Sequence, residues 1–123
     1  MKGTRPYEGG EPELMVRNHA TLVVGRDPRA RGDLASEAEI TPPDLIEWLL
    51  SQPFTGFELV AHARIGAHHI FKTKFIGPTI LVVVQARWAT DASGGWRIRE
   101  AEVALTEAAP SGAARTAVRS GEI

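Results

Sequence analysis

The sequence predicts an α+β domain: a curved, mostly antiparallel sheet of four to five strands, ordered β-α-β-β-β, with one short helix packed on one face. Three observations support this class. Long segments alternate between apolar and polar residues, and the segments between them are rich in Gly, Pro and Asp. One helix-start signal precedes a short apolar segment.

The first element is predicted to be a half-buried strand over residues 14–24. One face is apolar and the other is polar. The apolar face holds Leu14, Val16, Ala20, Leu22 and Val24, and the polar face holds Arg17, His19 and Thr21. Gly25 ends the strand, and residues 26–36 form a polar loop.

The single domain is predicted to span residues 13–107. Residues 1–12 are polar and rich in Gly and Pro, which is typical of a flexible N-terminal lead. Residues 108–123 have almost no large apolar groups and therefore indicate a flexible C-terminal tail.

A helix is predicted from about Pro42 to Ser51. Thr41 can cap its first turn, prolines are tolerated there, and Asp44 follows three residues after the cap. Trp48 and its leucine neighbours form an apolar side, and Pro53 ends the helix. Because so short a helix is marginal alone, it must pack on the sheet.

The rest of the sheet is predicted from three segments. Residues 57–75 alternate for nineteen positions with a bend at Gly66, residues 79–90 form an apolar central strand, and residues 96–107 form the last strand. The turns lie at Gly77–Pro78 and at residues 91–95.

A two-residue loop at Pro78–Thr79 would set the register of the central hairpin. The pairs then follow as Phe71 with Ala86, Phe75 with Val82, His69 with Trp88, Lys72 with Gln85, and Ile70 with Arg87. In the next hairpin, Trp88 would face Ile98 and Arg87 would face Arg99. The apolar positions then change parity, which predicts a β-bulge near Glu100.

Composition and the absence of known motifs argue against several classes of function. A net charge of −1 makes nucleic acid an unlikely partner, and the absence of cysteine excludes disulfides and thiolate zinc sites. No apolar segment approaches the roughly 20 residues of a membrane span, so we expect a soluble, cytoplasmic protein. No phosphate-binding or dinucleotide motif is present, and no cofactor is expected.

The polar face of the predicted sheet collects six basic side chains: His62, Arg64, Lys72, Arg87, Arg97 and Arg99. Such a cluster could bind a small anion or an acidic protein. The alternative is a solvated face with ion pairs, since Glu58, Glu100 and Glu102 lie on nearby positions.

The histidines do not predict a metal site. His62 and His68 share a face but lie roughly 20 Å apart along a straight strand, too far to share one ion. His69 is placed beside Trp88 on the apolar face. It is either a core histidine bonded to a backbone carbonyl or the best candidate for a catalytic acid or base.

A long central strand, then the turn at 91–95, then Trp96-Arg97-Ile98-Arg99 resembles the last hairpin of NTF2-like (SnoaL-like) proteins. The resemblance covers residues 57–107 and implies a cone-shaped α+β fold that holds small molecules and often dimerises. Such domains begin with helices, whereas this chain is predicted to begin with a strand, so no site residue is transferred.

Two functional hypotheses follow. The first is a non-catalytic binding or regulatory module that presents the basic face to an acidic ligand or protein. The second is a small cup-type enzyme or small-molecule binder, with His69 as acid or base in a pocket near Trp48, Phe71 and Trp88. A homodimer is plausible in either case, because one short helix cannot cover both faces of the sheet.

Overall fold

A computed structural model describes residues 10–109 of the 123-residue chain. Two α-helices, one 3-10 helix and five strands make up this part. In chain order they are α1 (Gly10–Val24), the 3-10 helix (Pro28–Asp33), β1 (Leu34–Thr41), α2 (Leu45–Leu50), β2 (Gly56–Ile65), β3 (His68–Ile76), β4 (Ile80–Thr90) and β5 (Trp96–Ala108).

The five strands form one sheet in the order β1-β5-β4-β3-β2. All neighbouring strands are antiparallel except β1, which runs parallel to β5 at one edge. The predicted class is therefore confirmed: a bulged, mostly antiparallel five-stranded sheet carries helices on one side.

The predicted strand over residues 14–24 is wrong, because this segment is helix α1. Its buried side chains follow helical spacing, at Pro12, Val16, His19, Ala20 and Val23, and Leu14 is 55% exposed. The helix ends with Arg26 in the left-handed region at φ 55°, and Asp27 N–H donates to the Leu22 carbonyl. Together with the bonds from the N–H groups of Gly25 and Arg26 to the carbonyls of Thr21 and Val23, this bond satisfies the last carbonyls of the helix.

The predicted loop over residues 26–36 is also largely structured. Asp27 caps the 3-10 helix by accepting a hydrogen bond from the Arg29 backbone N–H, and edge strand β1 begins at Leu34. The predicted short helix is confirmed as α2, although it starts at Leu45 and Thr41 instead ends β1.

The segment 57–75 is not one bent strand but the hairpin β2–β3. The chain reverses at Gly66, whose φ of 62° favours glycine. The start of this segment therefore pairs with its own end, as Phe57 pairs with Phe75.

The registers of the later strands agree with the sequence analysis. All five predicted β3–β4 pairs are present, and Trp88 pairs with Ile98. The predicted bulge is confirmed too, but the extra residue is Arg99, so Arg87 pairs with Glu100 rather than with Arg99.

The domain boundaries at 13 and 107 remain a prediction. Gly10–Pro12 belong to α1, and the Ala109 N–H donates to the Thr79 carbonyl. The rest of the predicted lead and tail lies outside the described residues.

Candidate functional site

A small apolar cavity lies between the helix side of the sheet and the two α-helices. The space open to the centre of a water-sized sphere is about 20 Å³, which is enough for one water molecule. Its walls come from α1, α2 and strands β3 to β5, and the lining residues are Val16, His19, Ala20, Ile46, Leu49, Thr73, Phe75, Val84, Ala86, Trp88, Ile98 and Ala101.

A histidine–aspartate pair forms the most polar part of this wall. His19 lies in the middle of α1 and is 8% exposed, and its Nδ1 lies 2.8 Å from Asp33 Oδ2 at the end of the 3-10 helix. The ring also meets Trp88 edge to face, with centroids 5.8 Å apart. Since an ionised carboxylate only accepts, this contact selects the tautomer with hydrogen on Nδ1.

The 3-10 helix that carries Asp33 is held at both ends. At its start, hydrogen bonds from the side chain and backbone of Arg29 lower the pKa of Asp27 to about 2. Near its end, Arg31 Nη2 donates to Glu47 of α2 at 2.7 Å. These bonds hold the segment that positions Asp33 against α1.

Two polar groups at the cavity have no hydrogen-bonding partner among the residues that the structure describes. Thr73, on β3, is 7% exposed, and its hydroxyl makes no hydrogen bond within residues 10–109. The Nε2 atom of His19 has none in the same part of the chain. Buried polar groups are usually paired with protein or ordered water, so this combination is typical of a site that receives a water or a ligand group.

His69, the predicted acid or base, lies on the helix side of the sheet and pairs with Trp88 as expected, but it does not line the cavity. Its Nδ1 lies 2.9 Å from Nε2 of His62 rather than near a backbone carbonyl. Burial, then the charges of His62 and Arg64, lower the pKa of His69 below its ordinary value of 6.5.

The six predicted basic residues do not share one surface, so the single basic face was wrong. An extra residue at Val60 in β2 reverses the parity, and His62 pairs with buried Phe71 on the helix side. Lys72 and Arg87 lie on the opposite face. Arg97 and Arg99 lie near the β4–β5 turn, where they pair with Asp91 and Glu37.

The pocket predicted near Trp48, Phe71 and Trp88 is only partly present. Trp88 lines the cavity, whereas Phe71 is packed in the core at 1% exposure. Trp48 instead borders an open groove with Val103 and Thr106 of β5. Among residues 10–109 no group of three or more metal-binding side chains converges.

The residue patterns did not predict His19, Asp33 or Thr73 as site residues. His19 was assigned to the polar face of a strand, and Asp33 to a loop. A helical spacing of Val16, Ala20 and Val23 was the available signal, since it places His19 beside the buried side of α1.

Comparisons with solved structures agree with this architecture. An NTF2-like protein of unknown function from Burkholderia xenovorans LB400 is 12% identical, with a TM-score of 0.50 over 79% of this chain and 81% of that one. Another, from Cytophaga hutchinsonii ATCC 33406, is 10% identical, with a TM-score of 0.51 over 89% and 96%. The chain shares the fold of NTF2-like proteins.

In this chain, the cavity lies between the helices and the sheet. No protein-family model matches the sequence, and no curated protein matches it. In the described part of the chain, no helix is both long and apolar enough to cross a membrane.

Proposed function

We propose that this protein is a cup-type small-molecule binder with acid–base capacity, in which His19, oriented by Asp33, acts on a ligand group inside the cavity. One observation carries this proposal. A buried histidine, oriented by a carboxylate, lines an enclosed apolar space beside a buried threonine hydroxyl that has no partner within residues 10–109.

The chemistry follows from the hydrogen bond between His19 and Asp33. Asp33 accepts from Nδ1 and leaves a lone pair on Nε2, which can take a proton from a ligand or from a water. The carboxylate also stabilises the imidazolium that forms. Asp33 is therefore a positioning residue, and His19 is the group that would meet the ligand.

The lining also restricts the ligand. Most of the wall is aliphatic or aromatic, and an unpaired charge would be costly there. A neutral, largely apolar molecule with one hydroxyl or carbonyl group matches the chemistry of this lining, because Thr73 can donate to it or accept from it. Ligands larger than a water would have to displace side chains such as Ile46 and Leu49.

A binding experiment tests this proposal. Phenol, cyclohexanol and cyclohexanone are titrated into isotopically labelled protein, and chemical shifts are followed by NMR. We expect saturable shifts at Thr73, Ala86 and Trp88, and loss of binding in Ala86→Leu, which fills the cavity. The matched control, Ala61→Leu on the opposite face, retains binding.

Probes that shift only residues outside the cavity, or that bind Ala86→Leu as well as the wild type, would contradict this proposal. A separate experiment in D₂O, with cyclohexanone as the substrate, tests for catalysis. Deuterium exchange beside its carbonyl should be faster with wild type than with His19→Gln, and unchanged in His68→Gln.

The other hypothesis, a non-catalytic module that presents a basic sheet face to an acidic protein, has less support. Its six residues are divided between two faces, and Arg87, Arg97 and Arg99 each lie within ion-pair distance of a carboxylate. Cytoplasmic location and homodimerisation remain predictions.

A further inference from the structure

The end of the β2–β3 hairpin gathers three nitrogen-rich side chains on the helix side of the sheet. His62 and Arg64 are two positions apart on β2 and therefore share a face, and Arg64 pairs with His69 of β3. The extra residue at Val60 and the turn at Gly66 together produce this arrangement, which the sequence alternation did not indicate.

Positive charge at this hairpin end is not neutralised by a described carboxylate. Within residues 10–109, every arginine lies within 4 Å of an Asp or Glu oxygen except Arg26 and Arg64. The Arg64 Nε donates to the Gly66 carbonyl at 3.1 Å, and its terminal nitrogens make no hydrogen bond in that range. With respect to residues 10–109, these two nitrogens can therefore bind an oxyanion through two parallel bonds.

The two histidines supply a further donor. Their facing nitrogens are 2.9 Å apart, the ring planes differ by 22° and the centroids are 5.2 Å apart, which places the rings edge to edge. When both are neutral, one ring donates its only hydrogen across this contact. The other ring then carries its hydrogen on the outer nitrogen, so the pair always offers one outward N–H.

Aromatic rings flank the same cluster. The Phe71 ring stacks on His62 with centroids 4.2 Å apart, and partly buried Trp96 meets His69 edge to face at 5.4 Å. An apolar group attached to the anion could lie against Trp96. An inorganic anion would make no use of that surface.

We propose that Arg64 and the His62–His69 pair bind the carboxylate of a small organic acid, whose apolar part lies against Trp96. These residues lie outside the lining of the interior cavity, so this site does not depend on the function proposed above. Binding at the two sites can be followed separately by NMR. The signals of Thr73 and Ala86 respond to a ligand in the cavity, whereas those of His62 and His69 respond to a ligand at the hairpin end.

The test compares benzoate with benzamide, its neutral counterpart, by NMR titration of the full chain. Benzoate should shift the imidazole signals of His62 and His69 and the indole N–H of Trp96, with at least about tenfold tighter binding than benzamide. Arg64→Gln should weaken benzoate binding by about tenfold. Arg26→Gln should leave it unchanged and is the matched control, because Arg26 likewise has no ion pair within residues 10–109.

Three results would overturn the proposal: equal binding of benzoate and benzamide, unchanged benzoate binding in Arg64→Gln, or no shift at the histidines. Inorganic phosphate that binds as tightly as benzoate would overturn the assignment to an organic acid. If Arg64→Gln disturbs the hairpin, the comparison of benzoate with benzamide in the wild type decides alone.

Discussion

Three side chains carry most of the chemistry at the residue scale. His19 and Thr73 bring polar atoms to an apolar cavity, and Asp33 selects the histidine tautomer. A polar group kept in such a place without a partner usually reduces stability, which is common where a protein binds ligands. The ligand-free protein should therefore gain stability when such a group is removed.

Thr73→Val tests this relation. Valine has the same shape without the hydroxyl, so the cost of burying an unpaired group disappears, and we expect a gain of about 1 kcal/mol in the free energy of unfolding. Urea denaturation measures it, with Thr90→Val at an exposed site as control. A loss of stability in Thr73→Val would mean that the hydroxyl is already bonded.

His69 makes the stability depend on pH. Its pKa is lowered in the folded chain, so the unfolded chain binds the proton more readily. The stability that neutral His69 supports is present above pH 6.5, the ordinary pKa, and is lost as the pH falls through the lowered value. We expect melting temperatures to fall from pH 7.5 to 5.5, and to fall less in His69→Gln. An equal fall in both proteins would show that His69 is not responsible.

At the element scale, the later strands were predictable and the first elements were not. Strands β3 to β5 show regular alternation and strong turns, and Asp91 Oδ1 accepts from the backbone N–H groups of Ser93 and Gly95. In α1, β-branched residues such as Thr21 and Val24 are typical of strands, so the sequence of this helix indicated a strand. Strand β1 lies at the edge of the sheet and is rich in polar residues, which do not indicate a strand; these are Ser36, Glu37 and Glu39.

A pair of substitutions separates helix from strand over residues 14–24. A strand would bury Leu14 and Val16 alike, whereas α1 leaves Leu14 exposed and Val16 at 3% exposure. We expect Val16→Ala to cost about 2 kcal/mol and Leu14→Ala less than about 0.5 kcal/mol in chemical denaturation. Similar costs at both positions would favour the strand.

The β2–β3 turn depends on a glycine in the left-handed region. A methyl group at Gly66 would meet no neighbouring atom within 4 Å, so any cost of Gly66→Ala comes from its φ of 62°. We expect a loss of about 1 kcal/mol in the free energy of unfolding, measured by urea denaturation.

Gly32→Ala is the matched control, because Gly32 also has open space around it and lies outside the left-handed region. If both substitutions have the same effect, the backbone conformation at Gly66 does not limit this turn.

At the scale of the whole molecule, the site follows from packing that no local pattern contains. His19 and Asp33 are fourteen residues apart and meet only because α1 and the 3-10 helix pack together. The bulge at Val60 moves His62 to the helix side and so divides the predicted basic face. A sequence pattern could therefore predict the class of fold, but not which side chains meet inside it.

Locating the imidazole hydrogen of His19 tests most stringently whether this residue can act as an acid or base. Nitrogen-15 NMR of the imidazole at pH 8 should find hydrogen on Nδ1 and a free lone pair on Nε2, and phenol should shift the Nε2 signal as it donates to that lone pair. If hydrogen lies on Nε2 instead, or if phenol fills the cavity without moving this signal, the acid–base account is contradicted.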